Sequence, residues 1–413
     1  MLFPPCSPPS PAPRVVITGA GIVTALGIGW QANAQGFRAG KRALRPISLF
    51  DVSRQRVKTA GEADLPAALP PTLLSSHQVA RLDRAGTLLL LAAHEAWQQA
   101  QWQPARELPL VLGTSAGGMP LGEAYFRQAT QMPRRYRRQP SRAVHYQPQV
   151  QGRMVLDALG TEGAVTIISN ACASGSNAIG LAWSLLRRGR AQCVLAGGYD
   201  ALSELVFSGF AALQSLSPTV CRPFDARRDG LALGEGAAVL ALETLEHASS
   251  RDAAILGELI GYGTSIDHHH LTQPEPQGST ALAVMKQACA EAAVAPEDVD
   301  YLHAHGTGTL LNDISEAVAI NHWAGGRAAT LPVSSTKASI GHLLGGSGAV
   351  EAVVCLMALR EQWLPAQGAF ESPDPACNFP IVHKPQDARV NVALSNSFGF
   401  GGVNATLILR RWI

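Results

Sequence analysis

Charge of either sign is scarce in this chain. Of its 413 residues only 15% are Asp, Glu, Lys or Arg, and the formal net charge is +2, so global charge does not argue for nucleic acid. Long apolar runs are missing too. No stretch reaches eighteen consecutive apolar residues, which speaks against a membrane span. The seven cysteines, at 6, 172, 193, 221, 289, 355 and 377, are odd in number and form no CxxC pair. That fits a reducing compartment and argues against a disulfide framework or a zinc site. The opening MLFPPCSPPSPAP lacks the basic and apolar regions of a signal peptide, and residues 1–13 read as a loose Pro-rich tail. These absences lead us to expect a cytoplasmic protein.

What is present suits a large core. The apolar fraction is 46%, and the length allows two or three domains or one duplicated one. Residues 164–189, AVTIISNACASGSNAIGLAWSLLRRG, read as a buried strand (164–169), a small-residue turn holding Cys172, and a helix. Ala178, Ile179, Leu181, Ala182, Leu185 and Leu186 give the helix its apolar face, Arg187 and Arg188 fill its last turn, and Gly189 closes it. Cys172 thus sits near a helix N-terminus. A dipole worth up to ~2 kcal/mol lowers the pKa of a thiol there by roughly one. On this segment alone, nucleophile and apolar core filler are equally good readings.

Strand and helix patterns alternate along the rest, implying a largely parallel α/β core. Residues 14–18 form a strand entering a Gly19/Gly21 turn, but Thr24 stands where a dinucleotide loop needs its third glycine. A helix is expected over 80–100, and residues 108–118 read as a strand running into a Gly-rich turn. Residues 119–153 are polar, basic and aperiodic and read as an excursion. The unit of strand, small-residue turn and Ala/Gly-rich helix recurs at 331–362. This predicts two similar halves, 14–252 and 253–413, whose strand-end turns meet at a shared crevice. The second half carries HAHGTGT (303–309) and STKASIGH (335–342), which bring His305, Lys337 and His342 towards Cys172. A lone strand-end histidine is more often a structural hydrogen-bonder. Two of them, each in a small polar turn, favour function. Their separation gives no metal-ligand spacing, and the run His268–His269–His270 alternates faces on a strand, so no metal is expected.

In this order and spacing, NACASG, RPFDARRDGLALGEGA, HAHGTGT, SSTKASIGHLLGGSGAVE and NSFGFGG resemble the β-ketoacyl-[acyl-carrier-protein] synthases, in their elongating two-histidine branch, over roughly residues 14–411. The resemblance implies a thiolase-like duplicated αβαβα fold, with two mixed-sheet halves and buried helices between them. It implies a decarboxylative condensation of a malonyl-carrier-protein thioester with an acyl chain held on Cys172. His305 and His342 would stabilise the enolate as neutral Nε2–H donors, and the backbone N–H groups of Cys172 and Phe400 would form an oxyanion hole. Lys337 would be a supporting cation near His342, paired with Glu351 and with Asp313 or Glu316. Thr272, Thr307 and Thr309 match positions that bind the phosphopantetheine arm, which the carrier delivers, with no bound cofactor. Ala116, Tyr146 and Phe210 match acyl-pocket positions. Ala116 and Tyr146 depart from the common isoleucine and phenylalanine and suggest a wider, slightly polar tunnel. His303, Ala164 and Asn312 are further departures.

The family's acidic carrier protein gives a role to the cluster Arg134, Arg135, Arg137, Arg138 and Arg142, whose bland reading is a solvated face. A homodimer, or a heterodimer with a ketosynthase-like subunit, is expected as well. Rival readings are a chain-length-factor partner, opposed by the presence of Cys172 and both histidines; a thiolase-type coenzyme A enzyme, opposed by the lack of a second cysteine in SFGFGG; and a dinucleotide oxidoreductase, resting only on Gly19 and Gly21. Fatty acid, polyketide and polyene pathways all remain open.

Overall fold

Two sets of five strands, met in chain order, repeat one arrangement. The first set is β1 (Val15–Thr24), β2 (Leu110–Gly113), β3 (Val165–Ile168), β4 (Cys193–Asp200) and β5 (Gly236–Thr244). The second is β6 (Gly257–Ile266), β7 (Tyr301–His303), β8 (Val333–Ser334), β9 (Val392–Phe398) and β10 (Val403–Arg410). They lie in the order β3-β2-β4-β5-β1-β6-β10-β9-β7-β8. Counted from its own outer edge, each half therefore runs third, second, fourth, fifth, first. The halves join where Val15–Ile17 pairs antiparallel with Leu259–Gly257. The structure, a computed structural model, describes residues 12–105, 107–131 and 144–413.

The sheet is mixed rather than largely parallel. Strand β2 runs parallel to β3 and β4, and β7 to β8 and β9. The pairings β4–β5, β5–β1, β9–β10 and β10–β6 are antiparallel. Each half follows two strand–helix crossovers with a hairpin-like return, and long apolar runs look alike in both settings. Strand β3 is the sheet's outer edge and only half-buried, not the buried strand its composition suggested.

The principal helices are α1 (Arg84–Ala100), α2 (Met119–Gln131), α3 (Pro148–Leu159), α4 (Ser174–Arg187), α5 (Glu204–Ala212), α6 (Ser279–Ala292), α7 (Leu310–Ala324) and α8 (Ser347–Glu361). Helices α1 and α3 cover the outer face of the first half, and α6 and α7 that of the second. Between the halves α4 and α8 pack against each other and against strands of both. Every residue of α8 from Ser347 to Leu359 is buried, as a helix apolar on all sides must be. This gives five layers, αβαβα.

Helices α2 and α3 occupy ground that the sequence pattern left as an excursion. Helix α2 has no buried residue, so it carries no core-facing stripe for a periodicity argument to detect.

The two central helices approach closely because their first turns are made of glycine and serine. A Cβ at Gly175 would come within 2.8 Å of the Gly345 oxygen and 2.9 Å of the Ala349 nitrogen. This contact brings the turn ahead of α4 and the turn ahead of α8 face to face.

Candidate active site

Cys172 lies in a one-turn 3-10 helix, Ala171–Ala173, just before α4. Ala171 takes a left-handed φ of 57°, a conformation costing an alanine about 1 kcal/mol. The surroundings hold it there. Ser174 Oγ accepts from Asn170 N–H at 2.9 Å and donates to the Ala171 oxygen at 2.6 Å, and Ser115 Oγ donates to the same oxygen at 3.0 Å.

Three turns from the second half close over this one. His305 follows β7, His342 lies in the loop between Lys337–Ile340 and Leu344–Gly346, and Phe400 lies in the β9–β10 turn. The Cys172 sulfur and the nearest ring nitrogens of His305 and His342 all lie within 4.8 Å of one another. The two imidazoles meet edge to face, with centroids 5.4 Å apart and 82° between planes. All three residues line a cavity of about 300 Å³, together with Phe210, Thr272, Thr307, Thr309 and Phe400. Phe210 stacks on Phe400 at 5.9 Å.

The hydrogen bonds fix which nitrogen of each histidine carries the proton. Leu344 N–H donates to His342 Nδ1 at 3.1 Å, and Ser347 Oγ lies 2.8 Å from the same atom while accepting from Leu343 N–H. A backbone N–H can only donate, so Nδ1 is an acceptor and the proton sits on Nε2. His342 Nε2 is buried with no hydrogen-bond partner among the described residues. The Lys337 ammonium lies 3.5 Å from His305 Nδ1, which sets the same tautomer. Burial, and then the Lys337 charge, hold both imidazoles well below the usual histidine pKa, so both are neutral Nε2–H donors.

The same bonding bears on metal. A thiol and two imidazoles so close are a possible ligand set, but both ligating nitrogens here already carry protons, and the groups behind them are donors. Metal-bound histidines instead donate from their second nitrogen to an acceptor. The set fits hydrogen-bond donation and does not fit a cation.

Lys337 is buried and ion-paired with Glu351, and it donates to the His305 carbonyl oxygen at 2.6 Å. The expected pairing with Asp313 or Glu316 does not form. Asp313 accepts from the backbone N–H groups of Phe224, Thr307 and Gly308 and faces Arg228 at 3.7 Å. Glu316 accepts from His305 and Gly306 N–H, each at 2.8 Å, and burial pushes it up to about 7. Both carboxylates serve the backbone of the HAHGTGT turn, whose amides outcompete a lysine already paired elsewhere.

A second expectation fails on the thiol. Burial pushes Cys172 up to about 11, outweighing the Phe400 N–H, the Lys337 charge and its own N–H, which all favour the thiolate. The dipole argument counted no desolvation, and Cys172 is only 7% exposed. The two amides facing the sulfur are those of Phe400 and Cys172. Gly399 leaves room for this approach: a Cβ there would stand 3.3 Å from Cys172 N.

The structure does not bring every candidate to the cavity. Tyr146 is 40% exposed and packs near Met119, and Ala116 joins an apolar cluster with Leu202, Phe207 and Leu344; neither lines the cavity. Arg134, Arg135, Arg137, Arg138 and Arg142 lie outside the described residues. Thr307 and Thr309 hydroxyls are 2.9 Å apart. His303 is fully buried and held down to about 3, first by burial, with Nε2 3.1 Å from Thr336 Oγ1. Ser347 and Asp200 were missed. Asp200 is a lone carboxylate ending a buried strand, a signal legible in AGGYD.

Comparison with known proteins agrees with this geometry. Residues 12–248 match the family "Beta-ketoacyl synthase, N-terminal domain" and residues 256–371 match "Beta-ketoacyl synthase, C-terminal domain". The chain is 38% identical to a 3-oxoacyl-[acyl-carrier-protein] synthase 2 of Synechocystis sp., over 97% of this chain and 98% of that one. It is 36% identical to nodulation protein E of Rhizobium meliloti, over 96% and 99%. Among solved structures it is similar to the ishigamide ketosynthase/chain length factor, with a TM-score of 0.89 and 30% identity over 97% of this chain and 100% of that one.

Proposed function

The chain belongs to the β-ketoacyl synthase family, and from that premise we propose how its own residues divide the reaction. Cys172 takes the acyl group from a carrier-protein thioester; its S–H proton leaves with the departing pantetheine thiol, so the exchange balances. The N–H groups of Phe400 and Cys172 hold the oxyanion of each tetrahedral intermediate. The malonyl thioester then enters past Thr272, Thr307 and Thr309. His305 and His342 donate from Nε2 to its carbonyl oxygen as carbon dioxide leaves, and the enolate carbon attacks the acyl-cysteine. The thiolate released takes up one proton. A well-placed donor at a developing oxyanion is worth about 3–4 kcal/mol in a dry site. The observation that carries this reading is that donors, the Leu344 N–H and the Lys337 ammonium, face Nδ1 of His342 and of His305, two rings that each bring a nitrogen within 4.8 Å of the Cys172 sulfur.

Lys337 supports His305 and does not touch substrate in this reading. We place the division into halves at 252/253, between the two family matches. An acyl carrier protein is the partner, with the Arg134–Arg138 stretch as its candidate contact; reversing Arg135 and Arg138 to glutamate should raise KM for the carrier substrate alone. The second subunit is another copy of this chain or a ketosynthase-like protein of the kind the ishigamide ketosynthase/chain length factor exemplifies. Either suits the half-exposed edge strand β3, whose outer backbone groups lack a neighbour among the described residues. Among the described residues no helix is long and apolar enough to cross a membrane, and we infer a cytoplasmic site.

The test separates two partial reactions. Cys172→Ala should still release carbon dioxide from malonyl-carrier but form no acyl-enzyme by mass. His342→Ala should form acyl-enzyme while decarboxylation falls by about 10²–10³. Undiminished decarboxylation in His342→Ala would end the proposal.

A further inference from the structure

Asp200 ends β4 fully buried, with five donors on its carboxylate. Oδ1 accepts from Thr114 Oγ1 at 2.6 Å, Ala116 N–H at 2.8 Å and Gly117 N–H at 3.2 Å. Oδ2 accepts from Ser115 N–H at 2.9 Å and from Gly345 N–H at 2.7 Å. The first four belong to the turn after β2, in the front half. Gly345 belongs to the back half, in the turn that follows His342.

That one cross-half bond reaches the imidazole. Gly345 is preceded by Leu344, which sits at φ 52°, a left-handed conformation that a leucine keeps only when its neighbours impose it. In that conformation Leu344 N–H points at His342 Nδ1, at 3.1 Å. The turn has no room to drift towards the front half, since a Cβ at Gly345 would lie 2.6 Å from Ser115 N. We propose that Asp200 is a positioning residue for His342: by anchoring Gly345 it holds Leu344 N–H on Nδ1 and so keeps the proton on Nε2, facing the substrate.

This rests on the reading of His342 as a hydrogen-bond donor to the malonyl carbonyl. The substitution Asp200→Asn is nearly isosteric and discriminates within the site. An amide that keeps its oxygen on the three-donor side turns its NH2 towards Ser115 and Gly345, so both of those links are lost, and the Gly345 link is the one of the two that crosses to the back half.

The experiment compares wild type, His342→Ala, Asp200→Asn and Thr114→Val. It measures carbon dioxide release from malonyl-carrier, acylation of Cys172 by mass, thermal unfolding, and the ¹⁵N signals of His342. For Asp200→Asn, decarboxylation kcat should fall about ten- to a hundred-fold, with KM within roughly two-fold and Cys172 acylation much less affected; a proton should appear on His342 Nδ1. Thr114→Val keeps the carboxylate and removes one donor, so it should show a smaller fall of the same kind even if Asp200→Asn folds poorly. A wild-type nitrogen pattern in folded Asp200 or Thr114 variants overturns the proposal. So does an equal fall in both partial reactions, which marks a merely structural clamp. If wild type and His342→Ala decarboxylate alike, it is the proposed function that has failed instead.

Discussion

Lys337 Nζ stands 3.5 Å from His305 Nδ1 while donating to the carbonyl oxygen of that same residue at 2.6 Å. One ammonium thus holds both the backbone and the ring of His305, with Glu351 as its counter-ion. Removing one partner of a buried ion pair leaves an uncompensated charge and costs about 3–5 kcal/mol, whereas an apolar pair of similar volume is often neutral. Lys337→Met should therefore lower Tm sharply. Lys337→Met with Glu351→Leu should recover most of that Tm while decarboxylation stays at least about ten-fold down, because Nδ1 has lost its donor. Wild-type carbon dioxide release from the double variant would reduce Lys337 to a packing role.

Gly175→Ala tests the contact between the central helices. The added Cβ meets backbone on two sides, at 2.8 and 2.9 Å, so α4 and α8 must separate. Overpacking of this kind costs about 1–3 kcal/mol, and a shift of about 1 Å between reacting groups can cost a hundred-fold in rate. Condensation should fall by about that factor with a modest loss of Tm. Gly209→Ala, in α5 with nothing within 4 Å of its new Cβ, should leave activity unchanged and serves as the control.

How much of this was legible beforehand depended on the kind of interaction. The duplicated strand–turn–helix unit could be read because apolar periodicity and glycine placement are local. The meeting of Cys172, His305 and His342 followed from assuming that equivalent turns meet. Strand direction was not legible, since β4–β5 and β9–β10 return antiparallel with the same apolar content a parallel strand would show. The partners of Lys337 were misjudged for a related reason: Asp313 and Glu316 are saturated by backbone amides of their own turn, which side-chain spacing does not reveal. The Cys172 thiol was misjudged because its local dipole is a sequence property and its burial is a tertiary one. Asp200 escaped because its meaning lies in Gly345, 145 residues on.

Acid should destabilise the protein through its buried histidines, and His303 allows one of them to be isolated. Burial holds the folded-state pKa of His303 at about 3 and those of His305 and His342 well below the usual value. The unfolded chain takes up these protons near pH 6.5. Below that pH the unfolded state binds more protons, so stability falls as pH falls, by about 1.4 kcal/mol per pH unit for each histidine. Glu316, raised to about 7, acts in the opposite sense, because between about 7 and its ordinary value only the folded state protonates it. Comparing His303→Asn with wild type cancels the carboxylates. The variant should lose less stability on acidification, by about 1.4 kcal/mol per pH unit from pH 6.5 to 5, read from urea midpoints. Parallel curves would mean that His303 is protonated in the fold.

The Cys172 thiol offers the most direct check on the site's dryness. A thiolate is the species that alkylates, and burial places this thiol at about 11, above the ordinary cysteine value near 8.5. Between pH 7 and 9 the thiolate fraction then rises about ten-fold per unit without levelling, whereas an unperturbed cysteine flattens beyond about 8.5. Iodoacetamide labelling of the Cys172 peptide, timed by mass, should follow the first course. Lys337→Met removes a cation that favours the thiolate and should slow labelling further at pH 8. A rate already flat by pH 9 would show that the helix terminus and the amides of Phe400 and Cys172 outweigh desolvation. In that case the resting enzyme would hold its nucleophile ionised, and the proton in the acylation step would have to leave before the acyl thioester arrives.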